Sequence, residues 1–94
     1  MKTTGQTLKT TVRILNELGM HARPAMAFVD VANGFSSDIR VRKGDQVVDG
    51  KSIMQMMMLA ATKGTELQIE AAGEDAPQAI EALRSLVARK FEEE

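Results

Sequence analysis

The apolar residues of this chain switch back and forth between a period of two and a period of about 3.6, and that alternation restricts its fold more than any other feature. Leu8, Thr10, Val12 and Ile14 alternate with Lys9, Thr11 and Arg13, as in a half-buried strand. After a turn at Gly19, Ala25, Phe28, Val29 and Ala32 recur at helical spacing up to Asn33-Gly34, where Phe35 can pack back. Ile39 and Val41 alternate with Arg40 and Arg42, Gly44-Asp45 turns the chain, and Gln46 to Asp49 returns as a partner strand. Ser52 and Gln55 have the spacing of a capping box and open a second helix to about Leu59, before Lys63-Gly64. Leu67, Ile69 and Ala71 mark a fourth strand. Beyond Gly73, Asp75 is a candidate N-cap, with Pro77 in the tolerated first turn. A third helix then carries Ala76, Ala79, Ile80, Leu83, Leu86 and Val87 inward, with Arg84, Arg89 and Lys90 near its C-terminal end and Glu92 to Glu94 as a frayed tail.

The order is therefore β α β β α β α. Strands with alternate polar residues predict an antiparallel sheet with one wet face and helices on the other, a two-layer α+β sandwich. A chain of 94 residues without linker or repeat is expected to form one domain over 1–94. Twelve Lys plus Arg against thirteen Asp plus Glu leave a net charge of −1, which argues against holding nucleic acid by charge. No Trp or Tyr is present to stack on bases. The absence of Cys excludes disulfides and thiolate sites and makes a cytoplasmic setting the default. Met1 to Thr11 lacks the apolar core of a signal peptide, and the apolar run Met56 to Ala61 is too short to cross a bilayer, so no membrane insertion is expected.

Chemistry concentrates at Gly19-Met20-His21-Ala22-Arg23-Pro24, where strand gives way to helix. His21, the single histidine, falls near the N-cap, where the first-turn amides of Ala22 and Arg23 favour an anion. A phosphoryl group on the imidazole would be such an anion, and the Arg23 guanidinium matches phosphate geometry. The plainer alternative is a surface histidine that merely starts a helix. No second His or Cys completes a metal site, and no Ser-His-acid order stands out, so no metal or cofactor is expected. In the second helix Ile53, Met54, Met56, Met57, Met58 and Leu59 leave almost no polar face. Either part of that surface stays exposed for adaptable docking, or methionine fills a core. Ser52 is first an N-cap and second a modification site.

Leu18-Gly19-Met20-His21-Ala22-Arg23-Pro24-Ala25, Gly50-Lys51-Ser52-Ile53-Met54, Lys63-Gly64-Thr65-Glu66-Leu67 and Gly73-Glu74-Asp75-Ala76 carry a resemblance. From about Thr10 to Phe91 the chain resembles the HPr family, the histidine-containing phosphocarriers of the bacterial phosphoenolpyruvate-dependent phosphotransferase system. The resemblance implies an open-faced sandwich of four antiparallel strands and three helices. It implies that His21 receives a phosphoryl group on Nδ1 from phosphorylated enzyme I, beside Arg23, and passes it to an enzyme IIA domain. Such a chain is a stoichiometric carrier more than an enzyme. Ser52 matches the serine modified by an HPr kinase/phosphorylase, and Met20, Ile53, Met54 and Met57 match the docking surface. A transcriptional regulator is a further implied partner, and a monomer is expected. Met1 to Thr7 extend beyond the usual start, and the run from Gln55 to Leu59 resembles the nitrogen-related branch as much as the sugar branch, whereas Gly50-Lys51-Ser52-Ile53-Met54 resembles the sugar branch, so that a role in sugar uptake is implied first. The other class of function is a regulatory module that binds through the Met-rich face under control of Ser52.

Overall fold

The computed structural model describes residues 6–92. The beginning of the N-terminal extension, Met1 to Gly5, and the end of the acidic tail, Glu93 and Glu94, lie outside the described residues. The first strand, β1, spans Gln6–Arg13, two residues earlier than the alternation from Leu8 predicts. It is followed by α1 (Ala22–Ala32), β2 (Asp38–Lys43), β3 (Gln46–Asp49), α2 (Ile53–Met58), β4 (Glu66–Gly73) and α3 (Ala76–Ala88). The order β α β β α β α is the one the periodicities predict.

All strand pairs are antiparallel, and the sheet order is β1-β4-β2-β3. β4 is therefore interior, with Val12 opposite Leu67 on one side and Val41 opposite Ile69 on the other. Because strand side chains alternate between faces, Val12, Ile39, Val41, Leu67, Ile69 and Ala71 all turn to one layer and are buried. There they meet Ala25, Phe28, Val29 and Ala32 of α1 and Ala79, Leu83, Leu86 and Val87 of α3, forming one core. The opposite sheet face is polar, crossed by the ion pairs Arg13–Glu66 and Arg42–Glu70. Helices cover one face only, which makes the fold an open-faced sandwich.

Three local expectations are corrected. Asp75 occupies the N-cap position of α3 but makes no side-chain cap. Its carboxylate instead accepts hydrogen bonds from the backbone N–H of Ser36 (2.8 Å) and Ser37 (3.0 Å) and from both serine hydroxyls. Four donors, the Ser37 hydroxyl foremost, lower its pKa from the ordinary 3.8 to about 2. The capping box is also only half formed. Ser52 Oγ accepts from Gln55 N–H at 3.2 Å, but Gln55 Oε1 reaches back to Asp49 N–H at 2.9 Å, because Ser52 N–H is already bound to Asp49 O. At the other end, the chain makes a left-handed turn through Lys90, Phe91 and Glu92 (φ 58, 56 and 61°). That turn folds Phe91 into the core, and Glu92 pairs with Arg89 instead of fraying.

Candidate functional site

The segment from Asn16 to His21 carries the chain from the end of β1 to the start of α1. Gly19 takes a φ of 71°, in the left-handed region, and packs so tightly against the Ala61 carbonyl and Thr62 Cα that no side chain fits. Its N–H donates to Asn16 O, and Met20 N–H donates to Ala61 O at 2.8 Å. The turn is thus tied to the segment that follows α2. The Met20 side chain is only 5% exposed and joins the core, so the expectation that it faces a partner is not met. The alternation of the incoming strand has already lapsed here, and the bend at Gly19 turns Met20 inward.

His21 is the N-cap of α1, with extended backbone and no side-chain cap hydrogen bond. Its N–H donates to Gly19 O at 3.0 Å, and its own carbonyl accepts the first helical bond, from Ala25 N–H at 3.1 Å. The N–H groups of Ala22 and Arg23 consequently have no acceptor within the helix, and Pro24 has no N–H to offer. Two backbone donors and the positive end of the helix dipole lie beside the imidazole. The ring is partly buried, with Nε2 shielded from solvent. Arg23 is exposed and enters no ion pair among the described residues, so its guanidinium can turn toward an anion at the ring.

The methionines of α2 divide between the two alternatives. Met56 is fully buried and Leu59 with it, whereas Met54 is 76% exposed, Met58 65%, Met57 42% and Ile53 39%. A helix of six residues is unstable alone, and its ends are secured to neighbours. Ser52 holds the N-terminus. At the C-terminus, the Lys43 ammonium donates to Leu59 O at 2.7 Å and Gln46 Nε2 to Met58 O at 3.1 Å. The outward methionines therefore contribute little to holding the helix in place. Met26 of α1 (51% exposed) and Leu18 (75%) add to the exposed apolar surface; Met26 falls outside the helical repeat of Ala25, Phe28, Val29 and Ala32. Ser52 lies at the far end of α2 from Ala61, across a helix about 9 Å long at 1.5 Å per residue.

A family described as the PTS HPr component phosphorylation site matches residues 8–89. The chain is 45% identical over 86 residues to the phosphocarrier protein HPr of Neisseria meningitidis serogroup A, covering 92% of this chain and 97% of that protein. It is 35% identical over 89 residues to the phosphocarrier protein NPr of Escherichia coli, covering 94% and 99%. The crystal structure of HPr-C-His from Thermoanaerobacter tengcongensis superposes with a TM-score of 0.89 at 44% identity, covering 93% of this chain and 98% of that one. The open-faced sandwich with a histidine at the start of its first helix is the architecture of a phosphocarrier. This chain belongs to the HPr family of the phosphotransferase system. Among the described residues, no helix is long and apolar enough to cross a membrane.

Proposed function

We propose that His21 is the phosphoryl acceptor of this chain, loaded by phosphorylated enzyme I and unloaded onto an enzyme IIA domain. The observation that carries the reading is the position of His21 at an uncapped helix start beside the unused amides of Ala22 and Arg23. In the loading step Nδ1 attacks phosphorus while the bond from phosphorus to the donor histidine nitrogen breaks, and the departing imidazole keeps that electron pair. Burial of Nε2 supports Nδ1 as the attacking atom. The three phosphoryl oxygens carry the charge throughout. The Ala22 and Arg23 amides and the Arg23 guanidinium stabilise it most when it is spread in the transition state. The same groups serve both directions of transfer, as a carrier requires. Ile53, Met54 and Met57 supply the apolar contact that brings a partner's histidine in line, and Ser52 is the site where a phosphate would disturb that contact.

The test is incubation with phosphoenolpyruvate and enzyme I. Acid-labile, base-stable phosphate should appear on the wild-type chain and be absent from His21→Ala, whose fold should persist because the ring adds little to the core. A folded His21→Ala that still accepts phosphate would overturn the assignment. A second reading, a nitrogen-branch or regulatory module governed through Ser52, is favoured by the exposed Met face and the NPr relative. Offering the loaded protein a sugar-type and a nitrogen-type enzyme IIA in turn separates the two, since the physiological acceptor should be discharged faster.

A further inference from the structure

Among the described residues only Asn16 and Ser37 are polar and buried. Ser37 is accounted for by its bonds to Asp75. Asn16 stands in the turn that leads to His21, where an apolar residue would be buried at lower cost. Its Nδ2 donates to Gly19 O at 2.8 Å, and the same carbonyl receives His21 N–H at 3.0 Å. A carbonyl oxygen has two lone pairs, and here both are engaged. Gly19 lets the chain bend but, having no side chain, does nothing to hold the bend at one angle. The oxygen of the peptide plane between Gly19 and Met20 accepts from the Asn16 carboxamide and from His21 N–H, while its own N–H, that of Met20, donates to Ala61 O. Two further polar atoms of this turn are buried, Asn16 Oδ1 and His21 Nε2, so the Nε2 edge of the ring faces into the protein.

We propose that Asn16 is a positioning residue for His21, fixing the Gly19 carbonyl that anchors the histidine backbone and thereby keeping Nε2 inward and Nδ1 toward the partner. The role rests on the reading of His21 as phosphoryl acceptor. Asn16 touches neither phosphorus nor the donor. Its loss should therefore slow the chemical step without weakening docking.

The experiment compares full-length Asn16→Ala, Asn16→Ser and Asn16→Asp with the parent chain, and with Ile69→Val as a core change of reduced stability remote from the turn. Single-turnover loading by phosphorylated enzyme I should fall roughly tenfold to a hundredfold in Asn16→Ala, with the apparent KM within about twofold. Asn16→Asp, which keeps the size but lacks the donor, should fail as Asn16→Ala does, while Asn16→Ser should recover part of the rate. Hydrogen exchange at the His21 amide should quicken, and nitrogen-15 shifts of the imidazole should show a changed share of protonation between Nδ1 and Nε2. Ile69→Val should alter none of these. Parent rates and an unchanged ring signature in Asn16→Ala would overturn the proposal, as would an equal rate loss in Ile69→Val. If Asn16→Ala does not fold, Asn16→Ser and Asn16→Asp decide by the same measurements. If the parent chain takes no phosphate at all, the carrier reading fails, while the amide exchange and ring signature still decide what Asn16 does.

Discussion

Met54 and Met56 sit two residues apart on the same six-residue helix, one 76% exposed and the other fully buried, and the contrast can be put into energies. Met56→Ala removes three groups beyond Cβ, worth about 2.4 kcal/mol of transfer free energy at about 0.8 kcal/mol each. The space left behind adds to this, because α2 is secured at both ends and cannot collapse freely, so a total of about 3–4 kcal/mol is expected. For a domain of this size that corresponds to a fall in Tm of roughly 15–25 °C. Met54→Ala removes the same atoms from a site already in water and should stay within about 0.5 kcal/mol of the parent. Urea and thermal melts measure both. The functional half uses Met54→Glu, which should keep the parent Tm while weakening binding to enzyme I by roughly tenfold, about 1.4 kcal/mol, since the carboxylate must be desolvated at an apolar contact. If Met54→Ala melts as Met56→Ala does, α2 is core throughout. If Met54→Glu binds enzyme I as tightly as the parent, the exposed face is not the contact.

Three further outcomes follow from the site and its supports. Arg23→Ala should slow loading of His21 more than it weakens docking, and Arg23→Lys should recover only part because an ammonium lacks the planar fork; collapse of binding with normal single-turnover transfer would refute this. The Asp75 carboxyl has a folded pKa of about 2 against an ordinary 3.8. Its contribution to stability is therefore present above about pH 4 and lost as pH falls towards 2, and Tm measured across that window should fall less steeply in Asp75→Asn than in the parent. Ser52→Asp should slow loading of His21 while Ser52→Asn leaves it nearly unchanged, both substitutions keeping the cap; equal rates would return Ser52 to a purely structural role.

What could be read from residue order depended on whether neighbours in sequence were also neighbours in space. The strands and helices were legible because Leu67, Ile69 and Ala71, or Phe28, Val29 and Ala32, declare their buried face by local periodicity. His21 and Arg23 were legible because a helix start places them by its own geometry. Asp75 was misread as a cap because its partners, Ser36 and Ser37, precede it by 39 and 38 residues in the chain, and four donors there outweigh one in the adjacent turn. Met20 was misplaced for a related reason: its inward turn depends on Ala61, forty-one residues on. Asn16 drew no notice, since a single Asn after a strand reads as an ordinary loop residue and only burial singles it out. Phe91 lies beyond the last helical period and enters the core through a left-handed turn that its own sequence does not announce.

The interior place of β4 also governs the order in which the molecule can assemble as it is synthesised. β1 leaves the ribosome first, yet its partner in the sheet is β4, and Val12 finds Leu67 only after a loop of about 55 residues has closed. β2 and β3 can pair at once as a hairpin, but β2 likewise waits for β4 on its other edge. Until Glu66–Gly73 emerges, α1 has no complete surface to rest on and β1 remains a strand without a neighbour. Chains stopped short of β4 should therefore be degraded or captured by chaperones rather than persist as partly active fragments. Folding waits for β4, the last of the four strands in chain order, which joins β1 to the β2–β3 hairpin.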